Sequence, residues 1–532
     1  MEKIRIKNIR SLKDTGNVPI APLTLLVGEN SSGKSTFLRT FPLLKQSIIK
    51  KTNGPILWAG DVDDYVDFGS FKETITDGKN EKMEIGFQFR TALGNGSSPY
   101  WFGEEPISKK ELSQIQFSIT IQGNEDREYV SALNIKIDTA KYEILFDGDK
   151  QIRITVDGEE IPETEPHAFD LDISRVSYYF WYMNRNEDIR SVFGYTLPNL
   201  SNRAINYMRK TFKGTPKNFY DDMMAFALVG KVLTQGKTLS EIKEDENILY
   251  IQEECSNDTK RKIRSILNKL TTVGDDEKNI GIGACKLLFF STIYSRIESY
   301  VDQYFRQVHY IAPLRATAER YYRLRNSAID EVDYQGKNLA IFLNSLDHQR
   351  MERFQKWTEE SFGFKATVQK NAGHLSVAIS RNGFSPKINL SDTGFGYSQI
   401  LPIITQLWEL STRQQTSRFG ENNVVPLVVA IEQPELHLHP AMQGRLAKAF
   451  IACIELAKTN GYQLQLLLET HSKTIVDYFG RAVARHTLKV SDVAVVLFER
   501  DAKTGHTKVT KTEYDSAGAL KKWPIGFFEP EE

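Results

Sequence analysis

The stretch Gly28 to Thr36 reads G-E-N-S-S-G-K-S-T, and it constrains the fold of this chain more than any other segment. The letters follow G-x-x-x-x-G-K-[ST], and their setting matters as much as their identity. Upstream, Leu23 to Val27 is an apolar run long enough for a buried strand; downstream, Phe37, Leu38, Phe41 and Leu44 recur at helical spacing. Strand, glycine-bounded loop and helix start are the context that turns this pattern into a phosphate cradle. Gly28 and Gly33 let the backbone turn tightly, so that the segment through Asn30, Ser31, Ser32 and Thr36 can aim successive N–H groups at phosphate oxygens. The helix N-terminus adds its partial positive charge. Lys34 is then expected to reach the β- and γ-phosphates and the Ser35 hydroxyl to ligate Mg²⁺, so ATP and Mg²⁺ are the expected cofactors. The alternative, a glycine-rich turn before an ordinary helix, is disfavoured by the motifs further along.

A chain of 532 residues is too long for one compact core, so two or more packed units are expected. The 68 basic residues balance 68 acidic ones, which excludes a globally basic nucleic-acid coat and leaves a local patch open. A hydrophobic content of 40% indicates a folded protein. Cys255, Cys285 and Cys453 are widely separated and make neither a disulfide framework nor a metal knuckle; buried thiols in a reducing compartment are expected. The opening M-E-K-I-R-I-K-N-I-R alternates polar and apolar residues, as an edge-type strand does and a signal peptide does not. No run approaches the ~18 apolar residues of a membrane span, so a soluble, cytoplasmic protein with no membrane partner is expected.

The pattern along the chain points to an α/β fold. From about Glu84 to Val156, alternating segments such as Ile115 to Ile121 and Tyr142 to Phe146 read as an antiparallel meander. From about Asn184 to Arg306 the pattern turns helical and polar. Strands return at Val308 to Ala312, a helix is expected near Gly336 to Trp357, and a hairpin over Ala366 to Leu390. Val424 to Phe498 alternates apolar strands with amphipathic helices, as a parallel α/β sheet does. The expected division is 1–183 with the phosphate loop and β lobe, 184–306 as a helical insertion, and 307–532 as the second part of the nucleotide-binding unit.

Leu427 to Ile431 is a continuous apolar run ending in Glu432, followed by Gln433, Pro434 and Glu435. A carboxylate at the C-terminal end of a buried strand is where a phosphate-loop enzyme holds Mg²⁺, so Glu432 joins Ser35 as a candidate metal ligand. The bland alternative is a helix-capping acid. Another strand, Leu464 to Leu468, ends in Glu469-Thr470-His471-Ser472, where the His471 imidazole would lie within reach of a γ-phosphate. Leu390-Ser391-Asp392-Thr393-Gly394-Phe395-Gly396 precedes an expected helix from Ser398 to Leu410, with Pro402 in its first turn or so. That is a second anion-binding helix start, built on Ser391, Gly394 and Gly396. One nucleotide rarely needs two cradles, so the second is expected to serve the nucleotide of a neighbouring copy.

This set, in this order, resembles the ABC-type ATPase heads of the SMC and OLD (overcoming lysogenisation defect) class. Gly28 to Thr36 match the phosphate loop, Leu390 to Gly396 look like a diverged L-S-G-G-Q segment, and Ile431 to Pro440 look like the Mg²⁺-binding strand and its following loop. His471 matches the switch histidine, and Trp523 to Phe528 resemble the C-terminal end of such ATPases. Within the class the likeness is to PtuA-type ATPases of Septu and retron anti-phage systems. It implies an ABC-type head with an antiparallel β lobe and a helical insertion, and a homodimer or higher oligomer that sandwiches two ATP molecules. Lys34 of one copy and Ser391 and Gly394 of the other would grip one γ-phosphate. It further implies a separate nuclease subunit of HNH type, and a retron reverse transcriptase or its DNA as a further partner.

One position departs from the class. The residue after the Mg²⁺ carboxylate is usually a Glu, and here it is Gln433, whose amide orients water but cannot accept its proton. Tight ATP binding with slow turnover is expected, with Glu435 as the alternative base. No D-x-D cluster follows His471, so no nuclease chemistry of its own is expected. His437 and His439 would share a face of an extended segment, as metal ligands or, with no third ligand nearby, as an interface loop. Arg315, Arg320, Arg323 and Arg325 with Tyr321 and Tyr322 suit nucleic acid, and equally a solvated helix face or salt bridges to a partner, and these readings stand level. Tyr178 to Tyr182 read as packing, not as a base-stacking platform. The rival function is a DNA-repair or chromosome-maintenance ATPase that binds DNA between its heads; the insertion lacks the sustained heptads of long arms. A transporter-type nucleotide subunit is a third option, disfavoured by the absence of a membrane-coupling segment.

Overall fold

A computed structural model describes the chain except for residues 51, 53, 62–63, 79–81, 92–111, 124–127, 148–149, 163–218, 245–256, 325–328, 330, 372, 382–385, 414–424 and 524–532. Cys255, Arg325, Tyr178 to Tyr182 and most of the Trp523 to Phe528 segment therefore lie outside the described residues.

Six strands form the sheet that positions the site, in the order Val308–Ile311, Leu427–Glu432, Leu464–Glu469, Leu23–Gly28, Val493–Arg500 and Thr507–Thr512. All neighbours are parallel except the last pair, which is antiparallel. The middle strands are buried throughout, which explains why they read as unbroken apolar runs. Two cores flank the sheet, and period-2 alternation sorts the side chains between them. Val428, Ala430 and Leu467 face one core, whereas Leu427, Val429, Ile431, Leu464, Leu466 and Leu468 face the other.

The first core holds the phosphate-loop helix Lys34–Ile49, a nine-stranded antiparallel sheet built on Lys3–Ile9 and the meander, and the helices Phe219–Thr234, Asn257–Thr272 and Asp275–Arg306. The long last helix ties the polar helical region into that core: Tyr142 stacks on Phe290 at 4.6 Å and Phe87 meets Phe305 at 5.4 Å. The second core holds the helices Leu339–Ser345, His348–Phe362, Phe395–Thr412, Pro440–Thr459 and Lys473–Ala484, with the hairpin Phe364–Asn371 and His374–Arg381.

Three expectations need correction. The single helix over Gly336 to Trp357 is two helices, because Leu346 takes an extended conformation and Asp347 caps the second through its side chain. The helix expected from Ser398 begins at Phe395, with Gly394 as its N-cap. Pro402 consequently lies in the helix interior, where its ring packs against Gly336: a Cβ there would come within 2.6 Å of the proline Cγ. Cys285 and Cys453 are buried free thiols. Among the described residues no helix is long and apolar enough to cross a membrane.

Candidate functional site

Gly28 ends its strand at φ 150°, and a Cβ on it would lie 2.0 Å from the Phe498 carbonyl oxygen of the next strand. Only glycine fits there. The loop then rises through exposed Glu29, Asn30 and Ser31, and Gly33 at φ 97° opens the helix Lys34–Ile49. That helix has no acidic residue in its first turn, so no acid of its own competes for its N-terminal charge. The Lys34 ammonium donates to the carbonyls of Gly28 (2.9 Å) and Glu29 (2.5 Å). Two such bonds leave a third proton for an anion seated on the loop. Burial pulls the Lys34 pKa down, against the pull of Glu469, Glu29 and Glu435.

The same alternation that divides the cores sends Glu432 and Glu469 to one face. They are register partners on adjacent strands, and both point toward the phosphate-loop helix. Ser35 and Arg39, four residues apart on that helix, meet them one turn from each other. Ser35 Oγ donates to Glu469 Oε1 at 2.7 Å. Arg39 donates from Nε to Glu432 Oε1 (2.7 Å) and from Nη2 to Glu432 Oε2 (2.8 Å), and the Tyr310 hydroxyl adds a bond to Oε1 at 2.6 Å. Glu469 Oε2 is buried without a hydrogen-bond partner. Burial, reinforced by neighbouring Glu432, pushes the Glu469 pKa up to about 7. Hard oxygen donors converging beside a phosphate loop, one of them an orphaned carboxylate oxygen, fit Mg²⁺.

Glu435 and His471 form one unit. The His471 N–H donates to Glu435 Oε1 (2.7 Å) and the Thr470 hydroxyl to Oε2 (2.9 Å), so both oxygens are engaged, and burial raises the Glu435 pKa. Burial and then the Lys34 charge lower the His471 pKa to about 4, so the imidazole is neutral at pH 7. Gln433 sits at φ 43°, an uncommon conformation for a side-chain-bearing residue, with its N–H on the Glu469 carbonyl. Arg315 clamps this turn. Its Nη2 donates to the carbonyls of Glu432 (2.9 Å) and Gln433 (3.2 Å), and it is buried. It does not face a nucleic acid, because its hydrogen-bonding arm points into the protein. Arg320 and Arg323 are exposed and lie in coil and a two-residue strand, so there is no helix face to solvate; Arg320 pairs with Asp392 at 2.5 Å.

Ser391 lies in a short 3₁₀ turn, and its N–H and hydroxyl both donate to Asn389 Oδ1. Gly394 has an ordinary φ of −57°, and a Cβ on it would meet nothing within 4 Å. Gly396 is closer packed: a Cβ on it would lie 3.4 Å from the His437 carbonyl oxygen. The exposed Phe395 ring lies 6.0 Å from that of His437, whereas His439 caps the helix Pro440–Thr459 by accepting from the Ala441 N–H. The two histidines thus serve different partners, and no group of three His, Cys, Asp or Glu placed to hold a metal occurs among the described residues.

The AAA ATPase domain matches residues 1–476, most of the chain. The chain belongs to that family. This ATPase is also similar to a solved SMC head bound to the C-terminal winged-helix domain of ScpA, at 12% identity and a TM-score of 0.31, with 96% of this chain and 98% of that one covered. An SMC head domain from Thermotoga maritima gives 11% and 0.30 at the same coverage. No curated protein matches the sequence of the ATPase.

Three further residues, Glu469, Arg39 and Tyr310, enter the site in the folded ATPase. Glu469 ends a buried strand just as Glu432 does, so the signal was present in the sequence. Arg39 lies on the phosphate-loop helix and Tyr310 on the edge strand, paired there with Ala430, and only the packing of helix and strand on the sheet brings both onto Glu432.

Proposed function

We propose that this ATPase is a nucleotide-clamped homodimer, in which the phosphate loop of one copy and the Ser391–Gly394 turn of the other hold one ATP. The observation that carries this reading is Gly394. Its backbone conformation suits any residue and the space around its Cα is open, so the fold itself does not require glycine. A glycine without an internal reason, beside an exposed helix start and the 61% exposed Phe395 ring, fits a surface that something outside the chain must approach closely. A dimer closed by the triphosphate is a switch, because hydrolysis removes the group that both copies bind.

Gly394→Arg tests it. The side chain has room in the free chain, so folding and monomer ATP binding are expected to be unchanged. Sedimentation with a non-hydrolysable ATP analogue and Mg²⁺ is expected to give dimer for the wild type and monomer for the variant. A variant that dimerises like the wild type overturns the reading.

The finer role, control of a separate nuclease in an anti-phage system through ATP-dependent dimerisation, rests on the motif resemblance, and the proteins that co-purify with the native ATPase test it. The rival role in DNA repair loses one of its candidate residues with the burial of Arg315. Exposed Tyr321, Arg320 and Arg323 are what remains in its support, and ATP turnover stimulated by DNA would favour it.

A further inference from the structure

We propose that Glu469, rather than Glu432, is the carboxylate with which this ATPase holds a divalent cation beside Ser35. Glu432 stands at the position where a strand-end acid is expected to do so, but three of the roughly four lone pairs of its carboxylate are already used. A two-armed guanidinium grips both oxygens, and the Tyr310 phenol adds a third bond from the edge strand. Arg39 comes from the phosphate-loop helix itself, one turn deeper than Ser35. To reach a cation at Ser35, Glu432 would have to abandon a charge-assisted pair in which its side chain is only 3% exposed, stranding both partners.

Glu469 has the opposite profile. One oxygen already touches the Ser35 hydroxyl, the side chain expected to bind the cation, and the other is buried with no partner. A buried carboxylate oxygen left bare needs an explanation. A hard cation at Ser35 supplies one, since carboxylate and hydroxyl oxygens are the donors such ions take. Arg39–Glu432–Tyr310 then acts as a fixed wall that neutralises the neighbouring acid and leaves a single carboxylate for the metal. The inference rests on nucleotide binding at the phosphate loop and is independent of dimerisation.

The test is direct metal uptake. Free Mn²⁺ is titrated by electron paramagnetic resonance into the full chain carrying a non-hydrolysable ATP analogue, for wild type, Glu469→Gln and the double variant Arg39→Met with Glu432→Gln. Glu469→Gln is expected to weaken Mn²⁺ uptake tenfold or more while analogue binding in EDTA stays as in the wild type. The double variant, which removes the ion pair as a unit, is expected to keep Mn²⁺ affinity within threefold. Should the amide variant fail to fold, Glu469→Asp keeps the charge but shortens the reach, and a several-fold loss is expected there too. Mn²⁺ uptake unchanged in the Glu469 variants, or lost in the double variant, overturns the assignment.

Discussion

Gln433 is held by its backbone on both sides, its N–H on the Glu469 carbonyl and its carbonyl on Arg315, so its backbone is fixed in a slightly strained pose beside the site. An amide in that place can orient a water but cannot take its proton. The next carboxylate downstream, Glu435, has both oxygens committed, one to the Thr470 hydroxyl and one to the His471 backbone N–H. Proton transfer by a positioned base is worth about 10²–10⁴-fold, so slow hydrolysis is the expected behaviour of the wild type. Gln433→Glu places a proton acceptor on the same backbone, and steady-state hydrolysis is expected to rise by about tenfold or more while ATP affinity changes little. No rise would mean that the missing base at residue 433 is not what limits turnover.

Helix Asp275–Arg306 shows how an element can carry a cost that its packing outweighs. Its buried Phe289, Phe290, Ile293, Ile297, Val301 and Phe305 anchor the helical region to the core. The same stretch carries Glu298, whose pKa is pushed up to about 7 by burial and then by Asp302 one turn on. A folded pKa above the unfolded one contributes stability that is complete below about pH 4.5 and lost as pH rises through about 7. Glu298→Gln is therefore expected to match the wild type in denaturant unfolding at pH 5 and to exceed it at pH 8 by on the order of 1 kcal/mol, allowing for partial exposure. An equal effect at both values would mean that the carboxyl is not titrating in this window. Elements of this kind were readable because period and apolar run length report burial directly, as in Leu23 to Val27 and Ile115 to Ile121. Their ends were harder. Phe395–Thr412 starts after Gly394, three residues before the Ser398 start expected from the pattern, and Pro402 inside it packs its ring against Gly336. Likewise, no local pattern announces that Arg315 turns inward, since its partners are carbonyls 117 and 118 residues away.

At the scale of the whole molecule, the phosphate loop is supported by strands that lie beyond the matched AAA region, which ends at residue 476. Strand Val493–Arg500 pairs with Leu23–Gly28, and the Phe498 carbonyl oxygen fills the space against which Gly28 turns. The next strand brings Thr507, whose hydroxyl donates to the Ser32 carbonyl at 2.8 Å and lies 2.8 Å from the Ser11 hydroxyl. The cradle is thus pinned from behind by the chain's last two strands of this sheet. Thr507→Val keeps the shape and removes the donor, leaving the Ser32 carbonyl short of a partner at a cost of about 1–3 kcal/mol. If the loop's geometry carries that loss, ATP affinity falls about tenfold for each 1.4 kcal/mol. A fluorescent ATP analogue titrated against wild type, Thr507→Val and Thr507→Ser measures it. The valine variant is expected to bind about tenfold more weakly and the serine variant nearly normally, because serine retains the hydroxyl. Equal affinity in all three would show that the loop holds its shape unaided, and that the last two strands serve the sheet alone.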